Sequence, residues 1–145
     1  MAADVSQDDD IRKFEEIGTH PEANFLAVGE ALTFHQLIGG KRKEQRLIYL
    51  RDYWAKELRR HDRIRLHTSL EPGYACGIAN VEVRGVEPGD LFSWLWREHR
   101  IRTTPIVHDE FRGIRVSPSV YNTTEELDRF MDAMTRVADE GLPTA

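Results

Sequence analysis

A single cysteine, Cys76, stands among 145 residues, so the chain has no internal disulfide and cannot build a thiolate metal site. That usage suits a reducing cytoplasm. Long hydrophobic runs are missing as well: no stretch approaches the ~18 to 20 apolar residues that span a bilayer. The opening MAADVSQDDDIRK is acidic and lacks the apolar centre of a secretory leader. Nor is there an excess of basic residues. A formal charge of −5 offers no global attraction to nucleic acid or to an anionic membrane. The chain therefore reads as a soluble, cytoplasmic protein.

Compact catalytic signatures are absent too. There is no G-x-S-x-G elbow, no phosphate-cradling P-loop and no dinucleotide fingerprint at a strand-to-helix turn, which leaves a self-contained hydrolase or nucleotide enzyme without support. The six histidines, His20, His35, His61, His67, His99 and His108, show none of the paired spacings of a helical zinc site. Surface and loop positions are the better reading for them.

What is present is ordinary globular material, 40% hydrophobic and 31% charged, of a length that buries a real core. Residues Met1 to Asp10 are small, polar and acidic, and read as a loose lead-in. From Pro21, Leu26, Ala27, Ala31, Leu32 and Phe34 to Ile38 recur at helical spacing up to a stop at Gly39-Gly40. A second helix is predicted from about Lys41 to about His61, on Leu47, Leu50, Trp54 and Leu58. Strand-like runs follow at Ile64 to Thr68 and Cys76 to Arg84, where Ile78, Val81 and Val83 include the alternation of a half-buried strand. Leu91, Trp94 and Leu95 restore helical spacing. Two further strand candidates, Ile101 to Val107 and Gly113 to Val116, precede a last helix that opens with Thr123 and Glu126 in capping-box spacing. The fold class is α+β, a small and mainly antiparallel sheet covered by helices on one face.

Two charged features call for a reading. The run KRKEQR (Lys41 to Arg46) and the pair Arg59-Arg60 alternate with acids on an amphipathic helix, so a solvated helix face outweighs phosphate binding. In GIRVS, Arg115 lies inside a run otherwise suited to a buried strand. A buried guanidinium requires an acid or a ligand carboxylate, which arginine grips with two parallel hydrogen bonds. Alternation equally allows Arg115 on the wet side of a half-exposed strand. Spacing alone leaves both readings open.

The stretch GIRVSPSVYNTTEELDRF (Gly113 to Phe130) resembles the C-terminal end of class V aminotransferase-like, pyridoxal-phosphate (PLP) enzymes, a group that includes cysteine desulfurases, selenocysteine lyases and isopenicillin-N-epimerase-like proteins. Arg115, Ser117, Tyr121, Asn122, Thr123, Glu125, Glu126, Asp128 and Arg129 carry the similarity. A second match, IRKFEEIGTHPEANFLAVGEAL, resembles the family's E-x-G-T segment entering a helix of the large domain; the isopenicillin-N-epimerase-like group looks most similar. The resemblance implies that Arg115 binds the substrate carboxylate. It also implies that Thr19 reaches the cofactor phosphate of the partner subunit in a homodimer, a role for which a hydroxyl before a helix is physically suited.

It further implies an organisation: residues 1–40 as a lead-in and a helix left from the large PLP-binding domain, and 41–145 as the C-terminal small domain of a fold-type I transferase. The family's cofactor lysine lies upstream of the E-x-G-T segment. None of Lys13, Lys41, Lys43 and Lys56 matches its position, and all lie in charged surroundings that do not desolvate an amine. The expectation is a portion of an amino-acid-transforming PLP enzyme that does not hold PLP covalently or turn over alone and needs a complementary large domain. The alternative is a stand-alone binding or interaction module without catalysis.

Overall fold

The computed structural model describes Gly18 and residues 21–143; the expected lead-in and Thr19 lie outside the described residues. The order of elements is α1 (Glu22–Ile38), α2 (Gly40–Leu58), β1 (Ile64–Leu66), β2 (Ala79–Val83), α3 (Pro88–His99), β3 (Thr104–Val107), β4 (Arg112–Val116) and α4 (Thr124–Glu140). The chain divides into two units, Met1–Ile38 and Gly39–Ala145.

In the first unit, α1 starts directly after Pro21, whose fixed φ suits a helix entry. No residue of α1 is buried. Leu26, Val28, Leu32 and Leu37 are each more than half exposed, an apolar surface that ordinarily lies inside a larger body. The helix ends at Gly39, whose φ of 85° lies in the left-handed region that favours glycine.

The second unit holds one antiparallel sheet of order β1-β2-β4-β3. Because β4 inserts between β2 and β3, the central strands β2 and β4 are the two most buried ones. Their inward residues Val81, Val83, Ile114 and Val116 meet Leu50, Trp54 and Leu58 of α2, Leu91 and Leu95 of α3, and Leu127, Phe130, Met134 and Val137 of α4. Trp54 and Phe130 cross edge to face at 5.5 Å and 88°, a favoured aromatic geometry. Tyr53 Oη donates to Asp128 Oδ1 at 2.8 Å and ties α2 to α4 at the margin of this core. Pro105, which has no N–H for a ladder, sits on the edge strand β3. The α+β reading of the sequence is the architecture found.

Two strands are shorter than their sequence suggests, for local reasons. The run from Cys76 joins the sheet only at Ala79, because Arg51 of α2 takes up the Ala75 and Cys76 carbonyls at 3.0 and 2.7 Å. Gly77 lies so close to α2 that a Cβ there would be 2.5 Å from Leu47 Cβ. The run from Ile101 becomes strand only at Thr104. Arg100 ends α3 in the left-handed conformation, φ 56°, and the Ile101 N–H returns to the Leu95 carbonyl at 3.1 Å. Among the described residues no helix is long and apolar enough to cross a membrane.

Candidate functional site

Strand alternation turns Ile114 and Val116 toward the helices of the second unit and Arg115 toward the opposite face of the sheet. Arg115 is exposed, so of the two readings the wet-side placement is the one found. Its neighbours across the ladders are Asn80 on β2 and Thr104 on β3. Nη2 of Arg115 donates to Thr104 Oγ1 at 3.3 Å. Among the described residues, no carboxylate forms an ion pair with it.

Most residues of the Gly113 to Phe130 stretch have structural work. Thr123 Oγ1 accepts from the Glu126 N–H at 3.3 Å, and Glu126 Oε2 accepts from the Thr123 N–H at 3.0 Å, closing the capping box that the sequence announces. Asn122 donates to Glu126 at 2.8 Å and accepts from the Ser119 N–H at 2.7 Å. These bonds lower the Glu126 carboxyl below its usual range, the Asn122 amide foremost and then the Thr123 N–H. Arg129 donates to the His99 carbonyl at 3.1 Å, and Asp128 holds Tyr53. Arg46, read as part of a solvated helix face, instead donates to the Asn122 carbonyl at 2.8 Å and fastens the turn before α4. A neighbouring cleft of about 250 Å³, bounded by His99, Thr103 and Arg129, lies against the same turn. Arg115 points outward with its fork largely uncommitted.

It borders a hollow of about 180 Å³ shared with Asn80, Thr68 and the apolar walls of Ile78, Ile106 and Phe111. Gly113 lets the Asn80 side chain and β2 approach β4 closely. At its φ of 140°, a Cβ would stand 2.8 Å from Asn80 Oδ1 and 2.4 Å from the Val81 carbonyl. Beside it, His67 Nε2 lies 2.6 Å from Glu82 Oε2, and both side chains are largely buried. The His67 ring is 5.8 Å from that of Phe111. His67 is therefore not the plain surface histidine its spacing suggested.

Lys56 is engaged by Asp52 at 3.0 Å, Lys41 is exposed, and Lys43, half-buried, borders a hollow with Leu47, Tyr74 and Cys76. No group of three or more His, Cys, Asp or Glu side chains among the described residues is gathered to hold a metal ion.

The family profile of aminotransferase class V matches residues 2–130. The chain belongs to the class V aminotransferase family. In three dimensions this class V chain is similar to the crystal structure of an alanine–glyoxylate aminotransferase from Nostoc sp., with 22% identity and a TM-score of 0.66 over 83% of its own length. That similarity is one of fold. The chain spans only 32% of the length of the solved relative. No curated protein sequence matches it.

Two residues on the Arg115 side of the sheet, Asn80 and His67, have no forewarning in the sequence motifs. An asparagine within Ala79–Val83 is out of keeping with strand propensity, and that mismatch is the one local signal that marks position 80. His67, directly after β1, and Glu82 on β2 are fifteen residues apart, and only the β1–β2 register brings them together.

Proposed function

We propose that this chain is the C-terminal portion of a PLP-dependent class V enzyme acting on an amino acid, of the isopenicillin-N-epimerase-like or cysteine-desulfurase-like kind, in which Arg115 binds the substrate carboxylate. The observation that carries the reading is the Arg115 guanidinium, exposed beside a hollow of about 180 Å³ and without an ion-pair partner among the described residues. A planar fork of donors in that setting suits a carboxylate held by two parallel hydrogen bonds. Such a grip fixes the orientation of the α-carbon, which is what a positioning arginine contributes to catalysis. The solved relative is named for alanine and glyoxylate, and both carry a carboxylate next to the reacting carbon.

In this reading the lysine, and the groups that hold the PLP ring, come from a complementary large domain. The apolar surface of α1 supports that need for a partner. Thr19 is proposed to reach the cofactor phosphate of the second subunit of a cytoplasmic homodimer. PLP, when bound, supplies an electron sink for the α-carbon.

The test combines the purified chain with PLP, with and without a lysine-bearing large domain of the family, and records the visible spectrum with an amino-acid substrate. A band that appears only in the combined sample, with the KM for the amino acid raised about 100-fold by Arg115→Ala, supports the proposal. Turnover unaffected by that substitution overturns it. Carboxylate binding by a chain that never pairs with a large domain would favour the stand-alone binding module.

A further inference from the structure

Asn80 carries an orphaned amide. Its side chain is only 8% exposed, yet neither Oδ1 nor Nδ2 has a hydrogen-bond partner. The backbone of the same residue is fully engaged: its N–H donates to Thr68 Oγ1 at 2.9 Å, and its carbonyl accepts from the His67 N–H at 3.0 Å. Strand structure therefore accounts for the main chain of Asn80 and not for its side chain. A buried amide left unpaired is unfavourable, and in native proteins it commonly marks a place for a ligand or an ordered water.

The place is specific. Asn80 is the register partner of Arg115, so the two side chains rise from directly opposed positions on the same face of β2 and β4. Both border the hollow walled by Ile78, Ile106 and Phe111. Asn80 Oδ1 packs against Gly113, where a Cβ would stand 2.8 Å from it.

We propose that Asn80 is a second ligand of the carboxylate held by Arg115, with its amide N–H donating to one of the carboxylate oxygens. This rests on the assignment of Arg115 made above. A carboxylate presents about four lone-pair positions, of which a bidentate arginine uses two, so an amide can take a third without competition. A neutral donor also fits better here than a second cation, which would repel the guanidinium. The apolar walls lower the local dielectric and strengthen both sets of bonds. Asn80 then sets specificity: it favours a carboxylate over anions such as chloride that cannot meet both donors at once.

The test is an NMR titration of the ¹⁵N-labelled full chain with sodium acetate, with sodium chloride at equal ionic strength as control, following the Asn80 side-chain amide and the Arg115 Nε–H. The expected result is that acetate moves both resonances along one binding curve and chloride moves neither. Asn80→Ala should weaken acetate binding about fivefold, the worth of one hydrogen bond, and Asn80→Asp should abolish it. If Arg115 responds while the Asn80 amide stays still, and Asn80→Ala binds acetate as tightly as the unsubstituted chain, the role of Asn80 is overturned and that of Arg115 stands. If neither responds, both are overturned. The titration of the unsubstituted protein decides the question even if a variant does not fold.

Discussion

Gly113 presses its α-carbon against the carbonyl of Val81: a Cβ at position 113 would stand 2.4 Å from that oxygen. With φ at 140°, the backbone there is also in a region that side-chain-bearing residues rarely adopt. Gly113→Ala should therefore cost about 2 to 4 kcal/mol through strain and overpacking. A urea unfolding midpoint unchanged from the parent chain would contradict this account of the β2–β4 contact.

Arg51 is the buried counterpart on the helix side. With 2% of its side chain exposed, it pairs with Asp52 at 2.6 Å and holds the Ala75 and Cys76 carbonyls. Arg51→Met leaves two carbonyl acceptors without their donor and the Asp52 carboxylate with Lys56 alone, and should destabilise the second unit by about 3 kcal/mol. Thermal unfolding monitored by near-UV circular dichroism would register it. The same substitution should change the acid limb of stability. Burial raises the Asp52 carboxyl, but hydrogen bonds and charge from Lys56 and Arg51 outweigh it and hold the group below its ordinary value. A depressed folded-state pKa gives stability that is present above the unfolded value, about 3.9, and lost as pH falls through the folded value. The parent chain should thus lose stability below about pH 4 more steeply than Arg51→Met does.

Which parts of this structure were legible beforehand follows from the range of the interactions. The helices announced themselves because Leu50, Trp54 and Leu58, or Leu127, Phe130 and Met134, repeat within one turn or two. The capping box needs only Thr123 and Glu126, three residues apart. Arg46 and Arg51 were not legible, because the carbonyls they hold lie 76 and 24 to 25 residues further along the chain. A basic residue on an amphipathic helix looks the same whether it meets water or a distant turn. Arg115 was legible as a residue in need of explanation, and its facing was not, since both faces of a strand share one spacing. Asn80 gains its meaning only from the register that sets it opposite Arg115.

The start of α4 offers a prediction of moderate size. Thr123→Ala removes the hydroxyl that accepts from Glu126 N–H and should cost about 1 kcal/mol. Because the Asn122 amide and the Thr123 N–H lower the Glu126 pKa, their contribution is present above the unfolded-state value and lost as pH falls through the lower folded value. Asn122→Ala should raise the Glu126 pKa toward its ordinary value, which a carboxyl-detected NMR titration would read directly. A Glu126 titration curve identical in the two proteins would refute the assignment of its main partner.

Arg115 supplies the contrast that separates a binding residue from a structural one. Its side chain is exposed and makes one hydrogen bond, to Thr104 Oγ1 at 3.3 Å, so Arg115→Ala should change the stability of the chain by no more than about 0.5 kcal/mol. In a complex with a complementary large domain the same change should raise the KM for an amino acid by about 100-fold, which is near 3 kcal/mol and in the range of a charge-assisted pair. Arg115→Lys should fall between, because lysine keeps the charge but cannot place two parallel donors on one carboxylate. A loss of stability in Arg115→Ala as large as that in Arg51→Met would make Arg115 a scaffold residue. Full activity in Arg115→Lys would mean that charge alone, and not the geometry of the fork, is what the substrate meets.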